Sequence, residues 1–471
     1  MAFSITQQPH ELVAVNSPII YVCKETTPAI VNNVKFRYIF DVQINETDDS
    51  SAGFSSIGKI KVHANNSNSG IVDISKLIKS YLETQKIDLN STTNTIHKVG
   101  INVPAKILSG NTEQIISVRV VASYEFATNI DLAPVEQTGI AVTSSIIHCT
   151  LATTLFTEGI SISLTNNPLI DYQFADNTKK FLTNAPEIQF VRGSSTSADN
   201  IDELTMAFFQ KGQILLTNAV SHIAINYYAS DDSQIGSEQL IDVNTTNGGS
   251  ANPSNANATD LLYVGVGPAN LENSTVTPSG GSSGDAAPSN FSNWAYYTVH
   301  ADFGASQISK TYKFYRYGAS RKGIDDRHQS CTKYNNVRLC WSNRLGAWDY
   351  MNFRGKSKEE VAIKRTQIGK VIGTWNSDSF TYNNFEGKTE NIQTTAKKTI
   401  TVNSDFLNED EAEWLQELFT SQYVQIIQDD GLTIPVIVKS NSYTKKTSLN
   451  NKMKIQYTLK LELSNDIRTN N

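Results

Sequence analysis

The chain has 471 residues, of which 18% are charged and 39% hydrophobic, and its 44 Asn, 47 Ser and 44 Thr together fill 135 positions. Such small polar side chains compete with the helix backbone for hydrogen bonds, so the composition favours turns and exposed strand faces over helices. The aromatic content excludes a disordered chain, four cysteines exclude a disulfide scaffold, and no apolar run of 18 residues or more marks a membrane helix. The net charge of −6 is uneven: residues 1–300 hold 15 basic and 27 acidic side chains, whereas residues 301–471 hold 25 and 19. A surplus of six cations over the last 171 residues falls short of the clustered basic stripe that duplex binding needs, so nucleic-acid contact is not expected.

In chain order, Phe36, Tyr38, Phe40, Val42 and Ile44 alternate with Arg37, Asp41 and Gln43 among others, and Val118, Val120, Ala122, Tyr124 and Phe126 repeat the pattern. Period-two alternation of this kind predicts strands with one buried face. Between them, Gly70 to Gln85 places Ile74, Leu77, Ile78, Tyr81 and Leu82 at helical spacing, with Asp73 as the expected cap. A second set of strands is expected from about Ile147, including Ile223 to Tyr227, Leu261 to Val266, Trp294 to Phe303 and Thr311 to Gly318. Two loops rich in Gly, Ser, Asn, Pro and Thr, Asn244 to Asp260 and Glu272 to Asn293, lack the apolar surface to fold alone.

The last third gathers Trp341, Trp348, Trp375 and Trp414 and holds a helix signal: Asn408 as N-cap, Glu409, Asp410 and Glu411 in the first turn, then Ala412, Leu415, Leu418 and Phe419 as an apolar stripe. Strands follow, with a turn at Asp430 and Gly431, ending in the alternation Ile455, Tyr457, Leu459, Leu461, Leu463. The expected fold is therefore mainly β: tandem β-sandwich-like domains followed by a C-terminal α+β module. The expected divisions are an N-terminal β-sandwich domain with one helix over 1–145, a central β domain with the long loops of 244–293 over 146–335, and the α+β module over 336–471.

Chemistry-bearing motifs are sparse. HExxH, GxSxG, GxxxxGK[ST] and the calcium-loop pattern are absent. In YVGVGPANL, Gly265 and Gly267 lack the third glycine of a dinucleotide loop, and Pro268 stands where a helix would propagate, so a strand ending in a tight turn is expected. His328, Cys331 and Cys340 lie close together, but an eight-residue gap between the cysteines fits no zinc spacing; free thiols or a hairpin disulfide are the expectation. Cys23 and Cys149 complete the cysteines, and no CxxC pair exists. The paired acids Asp325–Asp326 and Asp429–Asp430 read as solvated turn residues rather than glycosidase carboxylates. Seven Asn-x-Ser/Thr triplets, at Asn45, Asn65, Asn90, Asn244, Asn257, Asn273 and Asn290, match what this composition yields by chance. Tyr312, Phe314, Tyr315 and Tyr317 interleave with Lys313, Arg316, Arg321 and Lys322, a pattern shared by a single-strand nucleic-acid platform and, more commonly, a sheet strand. No catalytic, cofactor-binding or metal-binding residue is assigned, and no cofactor. The first 25 residues lack a positive leader and an apolar h-region, so synthesis in the cytoplasm is expected.

Three runs taken together, YVGVGPANL (Tyr263 to Leu271), VRLCWSNRLGAWDYMNF (Val337 to Phe353) and the module from NSDFLNEDEAEWLQELF through IPVIVKS to KIQYTLKLEL, carry a resemblance. With the opening FRYIFDVQI, FSSIGKIKV and GIVDISKLIKSYL, the chain resembles virion structural proteins of the tail or baseplate type from tailed bacteriophages of marine and gut bacteria. The resemblance implies a non-enzymatic virion component of a tail, baseplate or neck that acts through contacts with copies of itself and other phage structural proteins. In that setting Trp341, Trp348, Leu345 and Tyr350 pack a β-hairpin turned at Gly346, with Arg344 and Asp349 pairing or capping the turn. An acidic first part and a basic last part supply different faces, as a ring requires. Two other readings compete: a tail-tip adhesin for a host-surface glycan, with Trp294, Tyr296 and Tyr297 as stacking platforms, and a polysaccharide-cleaving tail enzyme with carboxylates on separate loops.

Overall fold

The computed structural model describes residues 3–10, 12–45, 53–82, 97, 103–104, 115–153, 180–196, 200–210, 220–242, 260–272, 281–282, 285–319, 334–429, 432–440, 442–445, 455–465 and 468–469. By contact the chain divides into two units, Met1–Ile324 with Ser342–Asp349, and Asp325–Trp341 with Tyr350–Asn471. The described fold is mainly β.

In the first unit a seven-stranded sheet runs in the order Leu12–Ala14, Ile147–Thr150, Ile115–Ala127, Val34–Asn45, Ser55–Val62, with two short strands added to Ile115–Ala127. A three-stranded sheet of Phe3–Gln7, Ile20–Glu25 and Ser69–Asp73 shares its core. The alternation explains the packing: Phe36, Tyr38, Phe40, Val42 and Ile44 meet Val118, Val120, Ala122 and Tyr124 in one buried cluster with Phe3, Tyr21, Cys23 and Val72. Tyr38 ties the two sheets, its hydroxyl donating to Asn68 O at 2.6 Å and accepting from Glu25 N at 3.1 Å. The strand Ile147–Thr150 pairs with both Ile115–Ala127 and Leu12–Ala14, so it completes this sheet instead of starting the next one. The helix expected from the spacing of Ile74 to Leu82, within Gly70 to Gln85, is also shorter. Ser69–Asp73 is a strand paired with Ile20–Glu25, the helix spans Ser75–Lys79, and residues 83–85 lie outside the described ones. The N-cap position falls on Ile74, not on Asp73 as expected; Asp73, one residue earlier, accepts from Ser75 N at 2.9 Å and Ile19 N at 3.0 Å.

The central sheet runs Ile188–Val191, Tyr312–Arg316, Tyr296–Phe303, His222–Tyr228, Gln234–Asp242. A smaller sheet joins Thr205–Gln210, Asp260–Gly265 and Val103–Pro104. After Gly265 the chain makes a single helical turn, Pro268–Leu271, with Pro268 at its start; proline suits that position because the first helical amides have no partner to lose. Gly267 is held to glycine by proximity, since a Cβ there would sit 2.4 Å from Leu204 N and 2.5 Å from Asp202 O. Asn270 fastens the turn, accepting from Leu204 N at 2.8 Å and donating to His97 O at 2.7 Å. The turn Ser342–Asp349 also belongs to this unit. Gly346 takes φ +84 as expected of the hairpin turn, Asn343 Oδ1 accepts from Leu345 N and Ala347 N, and Asp349 accepts from Thr183 Oγ1 at 2.7 Å. The end of the second expected loop is folded as well, because Phe291 is buried and stacks on Tyr227 at 4.1 Å while Ser289 N donates to Glu272. Residues 243–259, 273–280 and 283–284 lie outside the described ones.

In the second unit an eight-stranded sheet runs Trp348–Phe353, Val337–Ser342, Val424–Ile427, Thr433–Val438, Thr458–Leu463, Thr389–Asn403, Lys358–Gly369, with the short strand Arg468–Thr469 added to Thr389–Asn403 at Thr395 and Ala396. The helix Glu409–Thr420 starts in a capping box, Asn408 Oδ1 accepting from Glu411 N at 2.7 Å and Glu411 returning a bond from Asn408 N at 2.7 Å. Ala412, Trp414, Leu415 and Leu418 are buried, and Trp414 meets Trp341 with ring centres 5.0 Å apart. Ile455, Tyr457, Leu459 and Leu461 are buried in alternation, as the sequence implies.

Two substitutions test this packing. Gly267→Ala is expected to lower the free energy of unfolding by about 2 kcal/mol in a denaturant titration, because the contacted atoms are backbone and cannot rotate away. Asn408→Ala is expected to cost about 1 kcal/mol in the transition that reports the second unit, the usual loss of an N-cap.

Candidate functional site

The residues singled out for chemistry do not converge. Trp294 and Tyr297 are fully buried and Tyr296 is 6% exposed, so the three expected sugar platforms are core side chains. Trp294 Nε1 donates to Ser194 O, Tyr297 hydroxyl to Val266 O, and Tyr296 hydroxyl to Asp232 Oδ1 at 3.0 Å. Tyr296 is stacked between Tyr228 at 4.8 Å and Tyr315 at 4.7 Å, a cross-strand ladder that fixes register. The interleaved run takes the strand reading: Tyr312, Phe314 and Tyr315 are buried in Tyr312–Arg316, Lys313 lies over the Tyr296 ring and Arg316 over Trp294. Burial lowers the Arg316 guanidinium from its usual value. Arg321, Lys322, Asp325, Asp326, His328, Cys331, Asp430 and Gly431 lie outside the described residues.

Cys340 is buried on the strand Val337–Ser342. Cys23 and Cys149 are buried too; desolvation pushes the Cys23 thiol up to about 12 and raises Cys149 as well, which suppresses thiolate chemistry. Among the described residues no group of three His, Cys, Asp or Glu is arranged to hold a metal.

Exposed apolar side chains are numerous on an arm of the second unit, from Val361 to Ile392. Lys358–Gly369 pairs with Thr389–Asn403 from Lys358↔Thr401 to Gly369↔Thr389, with a register shift between Thr366 and Gln367. The base is anchored, since Ile400 and Val402 are buried and Thr399 to Asn403 pair with Thr458–Leu463. Outward from there every residue of Lys358–Gly369 is exposed. Opposed residues share a face, so Val361↔Lys398 and Ile363↔Ala396 lie on one side with Glu359↔Ile400, while Lys364↔Thr395 and Ala362↔Lys397 lie on the other. Val361 and Ile363 are each about half exposed, at 52% and 51%.

Beyond the ladder, residues 370–388 form a defined tip. Lys370 N donates to Lys388 O at 2.8 Å, Thr374 N to Thr381 O at 2.9 Å, Gly373 N to Glu386 Oε2 at 2.8 Å and Trp375 Nε1 to Ile372 O at 2.9 Å. This scaffold holds aromatic rings outward: Trp375 is 69% exposed, Phe385 85% and Val371 80%, with Phe380 and Tyr382 also exposed. Trp375 and Phe380 meet edge to face at 5.3 Å, and Phe380 lies 6.2 Å from Tyr382. Apolar surface gathered in one place on an ordered frame marks an interaction site. The ion pairs along the arm, such as Lys398–Glu359 at 2.7 Å, are solvent-exposed and add little stability. Sequence reading grouped Trp375 with Trp341, Trp348 and Trp414, all three of which are buried. The available signal was a Thr-rich stretch with exposed alternation between two charged clusters, which no buried-face template detects.

Replacing Trp375 and Phe385 together by Ser is expected to leave the free energy of unfolding within about 0.5 kcal/mol of the parent while shortening retention on a hydrophobic-interaction column.

No protein-family model matches the chain, and no curated protein matches it. Among solved structures, it is similar at 8% identity to trypsin-activated alpha-2-macroglobulin from Escherichia coli, covering 97% of this chain and 21% of that one with a TM-score of 0.18. Salmonella alpha-2-macroglobulin reacted with methylamine follows at 9% identity, 97% and 23% coverage and the same TM-score of 0.18. The native conformation of the Escherichia coli protein stands at 7% identity, 85% and 22% coverage and a TM-score of 0.18. The chain spans about a fifth of the length of these proteins, and likeness at such TM-scores carries no argument about its fold or activity.

Proposed function

We propose that this protein is a structural component of a tailed-bacteriophage virion, part of a tail, baseplate or neck, and that it works through subunit contacts and not through catalysis. The observation that carries the contact part is the arm: an anchored two-stranded extension whose ordered tip presents Val371, Trp375, Phe380, Tyr382 and Phe385 to solvent. Held rings of this kind lose little side-chain entropy on docking and bury much area, which suits assembly. The phage setting is supported by the sequence resemblance alone. Partners in this reading are further copies of the chain and other virion proteins, and the place of action is the particle. The adhesin reading loses its named platforms, because Trp294, Tyr296 and Tyr297 are committed to the core.

Negative-stain microscopy and mass spectrometry of the source test this reading. The 52.0 kDa chain is expected to sediment with tailed particles and to persist there after high-salt washing. A chain absent from every particle fraction, and monodisperse when purified, would overturn it.

A further inference from the structure

The arm's outer strand, Lys358–Gly369, pairs with Thr389–Asn403 on one side and forms the edge of the eight-stranded sheet, so its other side presents unpaired backbone donors and acceptors among the described residues. Twelve exposed residues make a long open edge, and folded proteins normally block such edges. Here the blocking charges are arranged as a mirror. Glu359, Glu360, Val361, Ala362, Ile363, Lys364 and Arg365 read acid, acid, apolar, small, apolar, base, base. Neither Lys364 nor Arg365 makes an ion pair among the described residues, whereas Glu359 is 2.7 Å from Lys398 and Glu360 pairs with Lys358.

We infer that this edge docks on the same edge of a second copy, the two Lys358–Gly369 strands running antiparallel about a two-fold axis at Ala362. The register follows from the charges. Glu359 faces Arg365 and Glu360 faces Lys364, each twice by symmetry, and Val361 faces Ile363. Glu359, Val361, Ile363 and Arg365 then share one face, so the two half-exposed apolar side chains of each copy cover those of the other between flanking ion pairs. A slip of two residues one way sets Lys358 against Lys364; a slip the other way loses all four ion pairs. Parallel pairing in register sets like charge on like. The contact is isologous: it closes at two copies and leaves the aromatic tips free for a different partner. The inference rests on the reading of the arm as a contact element and names the occupant of its edge.

Sedimentation velocity of the full-length chain over a concentration series tests it. The parent is expected to show a dimer that weakens with added salt. Glu359→Lys with Glu360→Lys, and separately Lys364→Glu with Arg365→Glu, set like charges together at four places and are expected to weaken the dimer at least about 100-fold. Combining all four changes restores the mirror and is expected to restore the dimer to within about tenfold of the parent. An equimolar mixture of the two half-reversed variants sets an all-basic edge against an all-acidic one, with opposite charges at all four places, and is expected to form a heterodimer; a mixture that stays monomeric would overturn the inference. Matching far-UV circular dichroism keeps misfolding apart from loss of contact. A parent that stays monomeric, a half-reversed variant that still dimerises, or a folded four-fold variant that does not recover would overturn the inference. If the parent associates and the reversals change nothing, edge pairing falls and assembly through other surfaces stands. If the charge swap behaves as expected while the chain is absent from virions, the phage reading falls and edge pairing stands.

Discussion

The strand Thr389–Asn403 must satisfy two environments at once, and the arm follows from how it does so. Its last five residues are held between Lys358–Gly369 and Thr458–Leu463, with Val402 fully buried. Thr395 and Ala396 pair with Arg468–Thr469 as well, and Thr389 to Thr394 keep Lys358–Gly369 as their single strand partner among the described residues. A hairpin isolated in water is marginal, so an arm of this length persists because one end is fixed into a larger sheet. The tip carries its own turn hydrogen bonds.

Charge plays different parts along the molecule. Within the first unit Asp202 is fully buried and is answered by Arg192, whose Nε lies 2.8 Å away and whose backbone N donates at 2.7 Å, an arrangement that orders the segment leading into Thr205–Gln210. On the arm the carboxylates and cations stay in water, where their worth to stability is small and their worth to partner choice is large.

Much of the fold was legible because burial leaves a period in the sequence. Phe36 to Ile44, Val118 to Phe126 and Ile455 to Leu463 each announce a strand with one dry face, and Asn408 with Glu411 announces a helix start. What was hidden depends on partners distant in sequence. Ile147–Thr150 looks like the start of a new set of strands until Leu12–Ala14 and Ile115–Ala127 are seen to flank it. Ser69–Asp73, just ahead of the helical spacing that begins at Ile74, pairs with Ile20–Glu25. The arm was least legible, since Lys358–Gly369 has no buried face to impose a period. The exposure of Trp375 at the tip is equally silent, because a tryptophan in a sequence does not say which side of the surface it occupies.

The separation of the five tryptophans has a spectroscopic consequence. Trp294, Trp341, Trp348 and Trp414 are all nearly or fully buried, and Trp375 alone stands in solvent at the arm's tip. Collisional quenchers such as acrylamide or iodide therefore reach a single emitter, and the red edge of the intrinsic fluorescence belongs to one indole. Any molecule that covers the tip shields that indole, so the chain carries a native optical reporter of its own docking that needs no label.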